Sequence, residues 1–354
     1  MRRGLLLVAA TGGCLVALAA PAGAAPAEVA SRSTGDDAYA LLQRASRAAR
    51  DLTYRGTQMV SYWSANGSTS ALVDVTHVGG EGLLMRVRPT PQSPGGAVYG
   101  DESGGVADVV GLGAGTLTLL AQHYEIAVEG SGEVAGRVAT VVAVRRPATS
   151  PTARFWIDAV TGLPLRREVL DGDGRTVRES AFLDVTIGTA SSPSEDALDG
   201  ARAMPVADGL MVAVPDAARL RADGWHVPER LSSGLELFEG RLTGSGDETV
   251  LQLTYSDGVS SVSVFQQRGR LADDGVEGWR EEEVAGHDVH VQGAFPQRVV
   301  WSGDGYVFTV VAECPAQTLA DLVGALPHGN PGPSIGSRLG NGVARVGSWL
   351  NPFA

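Results

Sequence analysis

Four times in this chain a run of alternating apolar and polar residues meets a second such run across a Thr-Gly or Asp-Gly pair: Thr161-Gly162, Asp173-Gly174, Asp257-Gly258 and Asp304-Gly305. Asp-Gly between alternating runs is a strong short-range signal for a hairpin, because both turn residues must tolerate positive φ. Chains turned back this tightly pair antiparallel, whereas parallel strands need long crossovers. The fold class that follows is all-β or α+β, mostly antiparallel β, with few helices.

Around these turns the hydrophobic period assigns the remaining elements. Residues 36–52, "DDAYALLQRASRAARDL", open on Asp36 and Asp37 and space Leu41, Ala45, Ala48, Ala49 and Leu52 as a helix does. From Tyr54 the period is two, giving strands at 54–64, 68–78 and 81–89, then a Pro/Gly-rich loop at 89–96 and a short strand near 105–110. A short helix at 115–123 precedes strands at 124–130 and 136–147, and residues 152–188 hold two or three more. Residues 188–207 are rich in Ser, Pro, Ala and acid and read as a linker. A second region follows, with its own hairpins, an acidic irregular stretch near 270–286 and a closing helix at 315–326. The expected division is a signal peptide at 1–24, domains at 36–187 and 208–327, and a Pro/Gly spacer with a tail at 328–354. In the tail Leu339, Val343, Val346 and Leu350 share a helical face.

The leader has Arg2 and Arg3, an apolar run from Leu5 to Ala20, and Ala22 and Ala24 at A-x-A spacing. This is the pattern of a cleaved secretory signal, with a retained membrane anchor as the alternative. Its removal would leave 330 residues and move the net charge from −12 to −14. An acidic chain without a basic cluster repels phosphate, so nucleic acid is not an expected partner. Cys314 would be the only cysteine remaining, so the exported chain must be held together by its core.

Signals for catalysis fail when their context is read. "GPSIG" at 332–336 matches a hydrolase elbow, yet it lacks the strand before it and any histidine after it. "VADVVGLGAGTLTLLAQH" mimics a dinucleotide loop, but Thr116 stands where the third glycine belongs and the helix is too short to cross a sheet. His287 and His290 are three apart on a strand and so face opposite ways, and the other histidines are isolated in sequence. No nucleophile with a base beside it can be named. The expectation is a protein that is not an enzyme, with no cofactor and no metal.

Several segments together resemble one family. "LLQRASRAARDLTYRGTQMVSY", with its Tyr-x-Gly-Thr strand, begins the resemblance, and "EVAGRVATVVAVRRP" and "RFWIDAVTGLPLRREVLDGDGRTVRESAFLDVTIG" continue it. "GWHVPERLSSGLELFEG", "YSDGVSSVSVFQQ" and "VFTVVAECPAQTLADLVGAL" follow in order. These segments are similar to those of the RseB/MucB regulators, exported proteins that control the anti-sigma factor of an envelope-stress sigma factor. The resemblance implies an N-terminal unclosed half-barrel with covering helices, like that of LolA-type lipoprotein carriers, and a smaller α+β C-terminal domain. It implies a partner, the extracytoplasmic segment of an anti-sigma factor, and a lipid or lipoprotein signal in the large cavity. A lipid or lipoprotein carrier with the same half-barrel is the alternative function, and self-association stays open. The implied location is the periplasm or the space between membrane and wall.

A half-barrel offers alternate side chains of each strand to its concave face. Met59, Ser61 and Trp63 share one face of their strand, and Leu72, Leu84, Phe155 and Ile157 are further cavity candidates. Which face is concave is open, and ordinary packing under a helix is an equal reading for each of them. In the second region Ser261, Ser263 and Phe265 lie opposite Val262 and Val264. These three are the candidates for contact with a partner chain.

Overall fold

The computed structural model describes residues 35–64, 67–89, 95–100, 112–146, 151–188, 201–203, 210–212, 217–231, 233–292 and 297–329. Two sheets, both within one compact unit spanning residues 32–354, carry the fold.

The first helix, α1 (Gly35–Asp51), has Asp36 and Asp37 in its first turn and Arg50 in its last, each charge suited to the dipole at its end. Its buried face is Ala38, Leu42, Ala45, Ser46, Ala48 and Ala49, small enough for the helix to lie close on a sheet. The helix stops at Leu52, whose carbonyl accepts a 2.6 Å hydrogen bond from Nδ1 of the buried His77. His77 also stacks on Tyr54, with ring centroids 4.9 Å apart.

The strands that follow are β1 (Tyr54–Ser64), β2 (Gly67–Val78), β3 (Gly82–Val87) and β4 (Gly96–Gly100), then α2 (Ala114–His123). Next come β5 (Glu125–Val134), β6 (Arg137–Arg145), β7 (Pro151–Asp158), β8 (Pro164–Leu170), β9 (Thr176–Ile187) and β10 (Ala201–Ala203). Among the described residues they form one open sheet in the order β10-β4-β3-β2-β1-β9-β8-β7-β6-β5. Every pairing is antiparallel except β10 with β4. The sheet does not close, because β10 and β5 are its two edges. The Thr161-Gly162 turn is fixed by the buried Asp158, whose Oδ2 accepts from Thr161 N at 2.8 Å and from Thr161 Oγ1 at 2.6 Å. Arg137, from the β5–β6 hairpin, makes a two-pronged contact with the same carboxylate, both bonds 2.9 Å.

The second sheet is built from β11 (Leu210–Val212), β12 (Glu236–Thr243), β13 (Val250–Ser256), β14 (Ser261–Arg268), β15 (Arg280–Val284), β16 (His287–Gln292), β17 (Gln297–Gly303) and β18 (Tyr306–Glu313). Its order is β11-β12-β13-β14-β18-β17-β16-β15. Helices α3 (Ala217–Ala222) and α4 (Ala316–Ala325) share one core with it, in which Leu220, Leu319 and Leu322 meet Tyr255, Val262, Val264 and Phe308. The architecture is α+β and mostly antiparallel, as the hairpin signals require.

Three expectations shift, and two lie outside the described residues. The loop expected at 89–96 runs at Gly96 into β4, a five-residue strand with glycine at both ends that the sequence alone leaves unassigned. Ala201–Ala203, inside the stretch read as linker, pairs parallel with β4 and extends the first sheet. "REEEV", read as irregular solvated charge, is the edge strand β15, paired residue for residue with β16. The strand expected near 105–110 and the tail with Leu339, Val343, Val346 and Leu350 lie outside the described residues.

Candidate functional site

The six cavity candidates divide between the two faces of the first sheet. Directly paired residues of antiparallel strands point to the same side. Met59 pairs with Leu72 and Ala181, Ala181 with Arg166, and Arg166 with Trp156. Trp63 and, through Thr76 and Arg55, Leu84 belong to this same face. Val60 leads instead through Ser180 and Arg167 to Phe155, so Phe155 and Ile157 occupy the opposite face.

The two faces differ in chemistry. Met59 and Trp63 are 36% and 40% exposed, and their face carries a ladder of charge. There Arg166 stacks over Trp156 at 4.5 Å and pairs with Glu168 and Glu179, while Arg154 Nε lies 2.7 Å from Glu129. Phe155 and Ile157, by contrast, are buried in one apolar cluster with Ala38, Leu42 and Ala45 of α1 and Leu117 and Leu120 of α2. The Phe155 side holds the fully buried apolar layer, whereas Met59, Leu72, Trp63, Leu84 and Trp156 share their face with charged side chains. The helix packing that was an equal reading for Phe155 and Ile157 is what the structure contains.

That apolar cluster includes one residue from the second sheet, Val259, at the tip of the β13–β14 hairpin. The Asp257-Gly258 turn is therefore buried in the first sheet's core. Asp257 is 4% exposed. Its Oδ1 accepts from the backbone of Val259 and Ser260 at 2.9 and 2.8 Å, closing the turn. Its Oδ2 accepts from the Tyr124 hydroxyl at 2.5 Å and from Arg146 Nη2 at 2.9 Å, both from the first sheet's side. Burial, with the Asp257 carboxylate beside it, holds the Tyr124 hydroxyl protonated far above the ordinary tyrosine range. Arg146 also donates to the Ser233 carbonyl at 3.3 Å, and Arg167 donates to the Val259 carbonyl at 2.8 Å while stacking over Phe155.

Two glycines permit this closeness. Gly258 has φ +94°, and a Cβ there would sit 2.8 Å from the Leu120 backbone nitrogen. On α2, a Cβ at Gly115 would fall 2.5 Å from the Phe238 ring of β12. The helix α2 thus contributes to the first sheet's apolar layer with one side and receives the second sheet with another. The sequence identifies the hairpin but not its burial, nor Tyr124 and Arg146 as its partners, nor Phe238 as the neighbour of Gly115. The available signal was Val259, an apolar residue at a tip that water would otherwise surround.

Of the partner candidates, Ser261 is exposed and Ser263 half-buried, whereas Phe265 is 3% exposed and packs with Val250 and Val311. The opposed Val262 and Val264 lie in the second core, as the alternation requires. Cys314 is partly buried against that core. Among the described residues no three His, Cys, Asp or Glu side chains gather as metal ligands. The helix of the supposed dinucleotide loop runs only from Ala114 to His123 and leads into the antiparallel pair β5–β6, while "GPSIG" lies outside the described residues.

Residues 98–204 match the family model of the MucB/RseB N-terminal domain. A curated relative, the sigma factor AlgU regulatory protein MucB of Pseudomonas aeruginosa, is 29% identical over 204 residues. That match takes in 56% of this chain and 59% of the relative, so the chain spans about three fifths of the relative's length. Among solved structures, the MucA/MucB complex of Pseudomonas aeruginosa is similar at 23% identity and a TM-score of 0.49, over 84% of this chain and 100% of that one. A LolA superfamily protein from Nitrosomonas europaea is similar at 10% identity and a TM-score of 0.23, over 46% and 96%. The matched stretch, from β4 through the Thr161-Gly162 and Asp173-Gly174 hairpins to β10, is similar to the N-terminal domain of the MucB/RseB proteins.

Proposed function

We propose that this chain is an exported, non-catalytic regulator that binds the extracytoplasmic segment of an anti-sigma factor and thereby governs that segment's exposure to protease. The match of residues 98–204 to the MucB/RseB N-terminal domain supports the reading, as does the similarity to Pseudomonas aeruginosa MucB, a sigma factor regulatory protein. The observation that carries it is the buried turn at Asp257 and Val259, shared between the two sheets. A lipid or lipoprotein acyl chain entering beside Phe155 and Ile157 would press on the same cluster that seats Val259. Occupancy of the first sheet and grip by the second would then be linked through α2.

The direct experiment mixes the purified protein with the outer segment of the anti-sigma factor encoded beside it and follows digestion by protease. A stable complex in which the segment survives longer is expected. A segment that neither binds nor gains protection would end the proposal. The lipid-carrier alternative draws on the apolar layer under α1, and native mass spectrometry after gentle extraction separates it. A carrier retains acyl lipid in stoichiometric amount and shows no affinity for the segment.

A further inference from the structure

Two histidines that are 41 positions apart in sequence lie ring on ring at the far edge of the second sheet. His287, the first residue of β16, stacks on His328, just beyond α4, with centroids 3.7 Å apart and planes 3° from parallel. On the other side His328 stacks with Trp301 of β17 at 5.1 Å. His328 Nε2 donates to the Val323 carbonyl at 2.7 Å, and Trp301 Nε1 donates to the Pro327 carbonyl at 2.9 Å. Gly329 bridges to Gly303. The segment 327–329 is thus fastened against the β16–β17 edge by stacked rings and a few hydrogen bonds.

We propose that His287 and His328 form a pH-responsive clasp, closed while at most one ring carries a proton and opened when both do. One imidazolium over a neutral ring is an attractive cation–π contact. Two imidazolium rings at this separation repel each other in a half-buried setting. Burial pushes His328 below the ordinary histidine value, the bond to Val323 partly restores it, and the charge of His287 lowers it again. The surrounding elements carry other charges: Arg280 and Glu281 to Glu283 on β15, Asp288 on β16, Asp304 at the β17–β18 turn and Asp321 on α4. Asp304 lies 3.3 Å from His226, and Asp321 accepts from Gln317 at 3.2 Å. The charge that acts on His328 is that of His287.

The sign follows from linkage. A histidine whose folded value is lowered lends stability that is whole above about pH 6.5, the value in the unfolded chain, and is lost as pH falls through the folded value. The second sheet should therefore loosen in mildly acidic surroundings.

The test follows the imidazole carbon-bound protons of the intact protein by NMR across pH 4.5 to 8, alongside urea unfolding at about pH 7.5 and 5. These pH values bracket the ordinary histidine range. His328 is expected to titrate on the acid side of the ordinary histidine range, with Trp301 fluorescence changing over the same window. His287→Phe keeps a ring in the stack without the second charge, so its folding equilibrium constant should fall about tenfold less on acidification than the wild type's. Titration of His328 at the ordinary histidine value in the wild type would overturn the clasp. So would a His287→Phe protein as acid-sensitive as the wild type. The NMR result stands even where a variant folds poorly.

Discussion

The hydroxyl of Tyr124 donates a 2.5 Å hydrogen bond to Oδ2 of Asp257, across a sequence separation of 133 residues. The bond joins the end of α2 to a hairpin of the second sheet, inside a core rather than at a wet surface. A hydrogen bond to a buried carboxylate is worth about 1.5–3 kcal/mol, more than one between neutral groups. Tyr124→Phe should lower stability by about 2 kcal/mol in urea unfolding. Asp257→Ala should cost more, since it also takes the carboxylate from Arg146 and leaves the backbone N–H groups of Val259 and Ser260 without their acceptor.

The two close-contact glycines should respond unequally. Gly258→Ala forces a left-handed residue against the Leu120 backbone, which cannot swing aside, and a loss of about 2–3 kcal/mol is expected. Gly115→Ala meets the far end of the Phe238 ring, and Phe238 is 36% exposed and can turn outward. Its cost should be under about 1 kcal/mol. Thermal melts of the two proteins side by side provide the measurement.

Strong acid should act through Asp158. Burial alone would raise its carboxyl, but the bonds from Arg137 and Thr161 overcome this and hold it below the ordinary aspartate value. Its contribution to stability is present above about pH 4, the unfolded value, and is lost as pH falls through the lowered folded value. Asp158→Asn should flatten the stability profile below about pH 4 while leaving the loss at milder acidity assigned to His328 unchanged.

Truncation should separate the cavity candidates. Phe155→Ala empties a fully buried position under α1 and should cost about 3–5 kcal/mol, and it should weaken any bound acyl lipid. Met59→Ala and Trp63→Ala remove half-exposed side chains from the charged face, and each should shift stability by less than about 1 kcal/mol without changing lipid content. Equilibrium unfolding combined with lipid extraction reads both outcomes.

Ser261→Arg tests the partner face. Ser261 is exposed at the start of β14, so a large charged side chain there should leave the melting temperature unchanged. Retention of the anti-sigma segment on an affinity column should fall severalfold.

Much of this fold is local, and what is local was legible. The period-two runs gave β1 and β2 to within a residue, and the Thr-Gly and Asp-Gly pairs gave all four of their hairpins. Another hairpin, β15–β16, turns on Ala285-Gly286, where Ala285 at φ 54° carries no turn signature, and three consecutive glutamates masked the alternation. The division of Met59 from Phe155 was hidden for another reason. It depends on register carried through β9, β8 and β7, which no single strand encodes. The burial of Asp257 was equally out of reach, because a hairpin looks the same in sequence whether its tip meets water or another sheet.

The position of Val259 in the first sheet's core sets an order of assembly. A chain that emerges N-terminus first can pair β1 through β9 while the rest is still to come, yet the layer around Leu42, Leu120 and Phe155 lacks a member until residue 259 arrives. Contacts this distant in sequence form late, since a long loop must close before they are rewarded. An N-terminal fragment ending after β9 should accordingly present a gap where the hairpin tip belongs. The first half of this protein matures only when the second half delivers its last piece.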